Sequence, residues 1–190
     1  MIEIENSDLD KAAKLLEAFP GAIDKVSKKA VREAVKDDKK EATAKIVDRY
    51  TIQKGRVGKT MRVQYQGAGA IFSSRGPVND LSYFKHNPRS VLKHRPPKGQ
   101  YLYSQVVKGQ GGTIAHAFLA RMRSGHVGVL QRAGHGTSNA SLPIYKLAGP
   151  STPQMLGSPT IQSYMEQHLK TRFFEAMEHE TMTYLEGLHL

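Results

Sequence analysis

The sequence predicts an α+β fold, with a central, mainly antiparallel β-sheet flanked by a long N-terminal helix and a C-terminal helix. Three observations point there. Apolar residues recur at helical spacing towards both ends of the 190-residue chain, short apolar stretches punctuated by glycine and proline fill its middle, and the links between those stretches have hairpin length. Short successive links favour antiparallel neighbours, because a parallel crossover needs about a dozen residues. A chain of this length buries roughly 70% of the surface its unfolded form exposes. One domain over residues 1–190 is therefore expected, divided into a helical segment 1–50, a basic β-rich core 51–150 and a helical segment 151–190.

In the first segment, Ser7 or Asp8 caps a helix carrying Leu9, Ala12, Ala13, Leu15 and Leu16, which Pro20-Gly21 ends or kinks. A second helix is expected from about Ala22 to Asp48. Ile23, Val26, Ala30 and Ala34 lie on one stripe, and Val31, Val35, Ala42 and Ile46 on an adjoining one. At 1.5 Å per residue such a helix spans roughly 40 Å, more than a compact domain needs, and it can pack on a sheet, on a neighbouring subunit or on both.

In the middle segment, Met61–Tyr65 and Ala70–Ser74 are expected as strands, with Leu81–Phe84 a candidate third. The stretch from Lys85 to Gly99, with Pro88, Pro96 and Pro97, is expected as a loop. Tyr101–Val107 and Thr113–Met122 form a hairpin across Lys108–Gly112, Ser124-Gly125 turns into Val127–Arg132, and a polar loop at Gly134–Ser141 precedes a last strand over Leu142–Leu147. In the final segment Ser158 is the N-cap and Pro159 the first residue of a helix whose Ile161, Met165, Leu169, Phe173 and Ala176 share one face. Met177 and Tyr184 border that face, and Gly187 ends the helix.

Charge is distributed unevenly. Residues 1–50 hold 11 basic and 11 acidic side chains, residues 51–150 hold 15 basic and one acidic, Asp80, and residues 151–190 hold two basic and five acidic, which together make the net +11. Such a confined excess suits a polyanion or an acidic protein face as partner, or simply keeps a sheet soluble. The chain has no cysteine, which excludes disulfides, thiolate metal sites and a cysteine nucleophile, and suits a reducing compartment. No apolar run approaches the roughly 18 residues of a membrane span, and the acidic Met1–Glu5 start is unlike a signal peptide. A soluble, unexported protein without a membrane partner is expected.

Candidate chemistry is sparse. Gly58-Lys59-Thr60 has the end of a phosphate-binding loop, but Gln53 stands where the motif needs glycine, and no strand precedes it. Gly109-x-Gly111-Gly112 joins two expected strands, so it is read as a hairpin tip. His179-Glu180 lacks the second histidine four residues after the first that a zinc helix requires. With Asp80 the sole acid of the middle segment, neither paired carboxylates nor a Ser/His/Asp constellation is expected there. No catalytic residue, metal or cofactor is assigned.

The stretch Phe118–Arg132 places a strand, a Ser124-Gly125-His126 turn and a second strand ending in Arg132; Ile144 then leads through Gly149-Pro150-Ser151 to Met155. Here the sequence resembles the minor tail protein Z family of tailed bacteriophages and prophages, the tail-completion proteins. The order of parts is also similar: a charged N-terminal helix, a basic middle, and a C-terminal helix with His179-Glu180 near its end. Leu130 stands where that family carries an aromatic residue. The resemblance implies a non-enzymatic virion component, assembled in the host cytoplasm, that completes the tail at its head-proximal end and helps it join the head. It also implies a homo-oligomeric ring, with a hexamer favoured. The partners would be the head–tail connector or stopper and the tail tube or terminator, with DNA in the lumen.

Within that expectation two surfaces are candidate interfaces: Arg121, Arg123, His126 and Arg132 around the hairpin, and Lys28, Lys29, Arg32 and Lys36 on the polar back of the second helix. A sheet edge made soluble by charge and a solvated helix face are the respective alternatives. An alternative function is a DNA-binding module using Lys85, Arg89, Lys93, Arg95 and Lys98, with Tyr83, Tyr101 and Tyr103 as stacking groups.

Overall fold

The computed structural model describes residues 21–94, 101–132 and 143–187. The helix expected near Leu9–Leu16, Arg95 and Lys98 of the proline-rich loop, and the polar loop at 134–141 lie outside these residues. The architecture is α+β, and every strand pairing is antiparallel. Among the described residues the strands are divided among four small sheets instead of joining one. These residues form two compact units: 21–42, 61–74 and 157–187 make one, and 43–60, 75–94, 101–132 and 143–156 the other.

In the first unit, helix α1 (Ala22–Ala34) follows Gly21, whose φ of 79° suits glycine alone among common residues. The expected single helix to Asp48 is interrupted at residues 35–37, and a second helix α2 (Asp38–Arg49) begins there. The Asp37 carbonyl accepts from the amides of Lys40 and Glu41 and so starts the new helix. The break falls just after the first expected stripe, although Val31 of the second stripe lies on α1 and Ile23 of the first is 43% exposed. Ala22, Val26, Ala30 and Ala34 are buried from α1, and Ala42 and Ile46 from α2.

A short helix α3 (Lys54–Val57) and a turn of 3-10 helix (Gly58–Thr60), both in the second unit, lead to the hairpin β1 (Met61–Gln66) and β2 (Gly69–Ser74). The C-terminal helix, which begins after the short α4 (Thr152–Leu156), is α5 (Pro159–Glu186), with Ser158 and Pro159 in the expected N-cap and first positions. Gly187 closes it in a right-handed conformation. Helices α1 and α5 pack along a seam of small side chains. Ala22 and Val26 meet Met177 and Tyr184, while Ala30, Ala34 and Ala176 cluster with Phe173 and Met177. Alanine lets two helix axes approach closely, so little apolar volume is needed to close the seam.

The second unit carries the remaining strands. Asn79–Asp80 (β3) pairs with Ala148–Gly149 (β10); Lys85–Asn87 (β4), Leu102–Val107 (β5) and Gln110–Ile114 (β6) make one three-stranded sheet; Ala117–Arg121 (β7), Val127–Arg132 (β8) and Ile144–Lys146 (β9) make another. Three expectations are corrected here. Leu81–Tyr83 is a 3-10 turn instead of a strand, because the Asp80 side chain accepts from the Ser82 amide and curls the chain. Lys85, expected in a loop, lies on β4. The strand expected over Thr113–Met122 is split at His116, whose φ of 59° turns the backbone and sends β7 to a different sheet from β6. The hairpin tip shrinks to Lys108-Gly109. Gly111 lies in the ladder, opposite Gln105, and needs to be glycine because the Tyr103 ring lies where its Cβ would be.

Asp38, in the first turn of α2, is 0% exposed, and neither carboxylate oxygen has a hydrogen-bond partner. Burial raises its pKa from 3.8 to about 6, against the lowering charges of His168 and Arg172 on α5. Nearby, the Tyr164 hydroxyl donates to Glu41 at 2.7 Å and its ring stacks on His168. Because the folded pKa is the higher one, ionising Asp38 costs stability as pH rises from about 4 through 6, up to about 3 kcal/mol above that range. Asp38→Asn is therefore expected to raise the melting temperature by several degrees at pH 8 and to leave it nearly unchanged at pH 3.5, as read by thermal unfolding at the two pH values.

Candidate functional site: basic strands around a buried aspartate

Asp80, the one acidic residue of the middle segment, is 4% exposed and sits where three parts of the second unit converge. It ends β3. Its Oδ1 accepts from the Ser82 amide at 2.9 Å; its Oδ2 accepts from His126 Nε2 at 2.7 Å and lies 3.1 Å from Lys146 Nζ. His126 comes from the β7–β8 turn and Lys146 from the end of β9. A single carboxylate thus ties β3, the β7–β8 turn and β9 together, with donors separated by 46 and 66 positions in sequence.

The electrostatics follow from burial and partners. Burial alone would raise the Asp80 pKa, but the hydrogen bonds from His126, Ser82 and Lys146 outweigh it and lower the value from 3.8 to about 2. The ionised carboxylate is an acceptor only, so His126 presents Nε2–H to it. Gly128 on β8 allows this approach, since a Cβ there would come 3.2 Å from Asp80 Oδ2 and 3.0 Å from Met122 Cε. Tyr83 stands edge-on to the His126 ring at 5.8 Å, and the Arg56 guanidinium lies 3.3 Å from the Tyr83 ring centroid. The line Arg56, Tyr83, His126, Asp80, Lys146 is one connected electrostatic unit.

The turn itself is set by local chemistry. The Met122 amide donates to the His126 carbonyl at 2.7 Å, the Gly125 amide donates to Met122, and Gly125 has a φ of 82°. Compared with protein-family models, curated proteins and solved structures, the chain gives no significant match.

The expected site residues divide accordingly. Arg121 ends β7, exposed, with Nη1 3.4 Å from the Gly125 carbonyl; Arg123 is exposed on the same turn. His126, expected as an interface residue, is half-buried with Nε2 committed to Asp80. Arg132 ends β8 with its guanidinium 5.1 Å from the Phe118 ring and a buried Nη1 that has no hydrogen-bond partner among the described residues. The second group lies in the first unit: Lys28 pairs with Asp24 at 2.5 Å, Lys29 with Glu180 at 3.4 Å, Arg32 lies over the Tyr65 ring, and Lys36 is exposed in the break between α1 and α2. Of the proposed DNA contacts, Lys85, Arg89 and Lys93 are exposed. Two of the three candidate stacking tyrosines carry other rings or cations: Tyr83 as above, and Tyr101 tilted against His116 at 5.4 Å. Gly58-Lys59-Thr60 follows a helix and precedes a strand, the reverse of a phosphate-binding loop.

Lys146, Arg56 and the role of Asp80 were missed at the sequence level. The signal was present: an acid alone in a strongly basic segment must either be solvated or collect cations. Because the folded pKa of Asp80 is the lower one, its stabilisation is full above about pH 4 and is lost as pH falls through about 2. Asp80→Asn is expected to lower unfolding stability at pH 7 by about 2 kcal/mol, with the gap to wild type closing towards pH 2, as followed by urea titration across that range.

Proposed function

We propose that this chain is a non-enzymatic structural subunit of a tailed bacteriophage, acting at the head-proximal end of the tail in tail completion and head–tail joining. The observation that carries the reading is the ordered set of residues Phe118–Arg132, Ile144, Gly149-Pro150-Ser151 and Met155, which resembles the tail-completion family. These residues fall in a single compact unit, on β7, its turn, β8, β9, β10 and α4. Most have structural tasks there. His126 binds the buried carboxylate, Ser151 shares hydrogen bonds with Gln154, and Met155 is fully buried. A motif of that kind marks a fold with a particular surface and carries no reacting group.

The surface available for the function is basic. Arg121 and Arg123 are held outward by a turn that Asp80 anchors from below, which suits them to meet an acidic face on a neighbouring protein. In the proposed assembly, copies form a ring, six-fold by analogy, between the tail tube or its terminator and the head–tail connector, inside a virion assembled in the host cytoplasm. No described helix is long and apolar enough to cross a membrane. A DNA-binding module using Lys85, Arg89 and Lys93 is the alternative. It predicts affinity for duplex DNA that falls steeply with salt.

The experiment is complementation of a phage or prophage from which this chain has been deleted. Arg121→Glu with Arg123→Glu is expected to fold with wild-type stability but to leave tails unjoined to heads in electron micrographs, lowering infectious particle yield by about two orders of magnitude or more. Normal yield from that variant overturns the assigned surface; normal yield from the deletion itself overturns the function.

A further inference from the structure

We propose that Glu33, His179 and Glu180 form a binding site for a divalent transition-metal ion of the Zn2+ type, bridging helix α1 to helix α5. One ligand atom from each residue lies within 4.8 Å of the other two. His179 Nδ1 is 3.6 Å from Glu33 Oε2. Around a tetrahedral ion with bonds near 2.1 Å, neighbouring ligand atoms stand about 3.4 Å apart, so this pair is already close to ligating separation. An imidazole with two carboxylates is a borderline donor set that suits Zn2+, and three protein ligands leave the fourth position to water.

The frame supports the geometry. Neighbouring residues on one helix do not face each other, so His179 and Glu180 cannot enclose an ion from α5 alone. Glu33 supplies the missing side from α1, beside Ala34, where the cluster of Ala30, Ala34 and Ala176 holds the two helices together. This third ligand is 146 positions away in sequence from His179, which is why the spacing of residues along α5 does not reveal it. Access is open: the His179 side chain is 66% exposed, Glu33 41% and Glu180 15%.

Lys29 is the competing cation. Its Nζ lies 3.4 Å from Glu180 Oε2, and its side chain is mostly exposed. The Lys29 end of the pair is open to water, so the ammonium can swing out when a divalent ion arrives at Glu180.

The test is titration of the full chain with ZnCl2 by isothermal calorimetry, paired with thermal unfolding in ZnCl2 and in chelator. Wild type is expected to take up one equivalent in this site at pH 7.5 and to melt at higher temperature with Zn2+ than with chelator. His179→Ala and Glu33→Gln, both at exposed positions, are each expected to weaken that binding at least tenfold while keeping the wild-type circular dichroism spectrum. Lys29→Met is expected to tighten it several-fold. Absence of uptake by wild type overturns the proposal. So does uptake that survives unchanged in both His179→Ala and Glu33→Gln, since the ion would then sit on other histidines.

Discussion

A buried anion within a field of cations organises the second unit. Residues 51–150 carry 15 basic side chains against one acidic, and left to themselves these charges would repel one another and disfavour a compact state. Asp80 answers that constraint. Its burial would be costly if it were alone, but a backbone amide of the following 3-10 turn, an imidazole of the β7–β8 turn and an ammonium of β9 converge on it. The contact ties the β7–β8 turn, which carries Arg123 and adjoins Arg121, to β3 and β9. A feature with the residue types of an acid–base pair thus ties three segments of the second unit together.

The first unit is built on a different economy of forces. Helices α1 and α5 meet through alanines, with Val26, Met177, Phe173 and Tyr184 filling the remaining space. Close approach compensates for the small apolar area that each alanine contributes. It also brings the polar rims of the two helices into contact, so that Lys29, Glu33, His179 and Glu180 meet at one edge, while Glu41 of α2 meets Tyr164 of α5. Asp38 is the exception within this unit. It is a carboxylate buried without hydrogen bonds, near two basic groups that only partly offset its desolvation.

Much of this was legible in the sequence, and the reasons for success and failure are physical. The C-terminal helix was clear because Ser158-Pro159 and a long apolar stripe specify it locally. Strands β1, β2 and β8 were clear because their turns carry glycine at positive φ, at Gly67 and Gly125. The break at residues 35–37 was written only as a shift between two stripes, since no proline or glycine marks it. The left-handed turn at His116 is marked by neither glycine nor proline, so the strand it splits was read as continuous. Sheet membership is likewise non-local: hairpin lengths revealed antiparallel pairing but could not show four separate sheets. At the site, the charge count singled out Asp80, and the motif singled out His126. Only the fold joins residues 46 positions apart.

The central claim is that Asp80 couples β3, the β7–β8 turn and β9 into one cooperative unit that presents the basic turn. Amide hydrogen exchange on wild type and Asp80→Asn, resolved residue by residue under native conditions, tests it most directly. The account predicts that protection falls together at Ser82, along the β7–β8 ladder and at the β8–β9 pairs. A loss confined to Ser82 and its immediate neighbours, with both ladders as protected as in wild type, would contradict it.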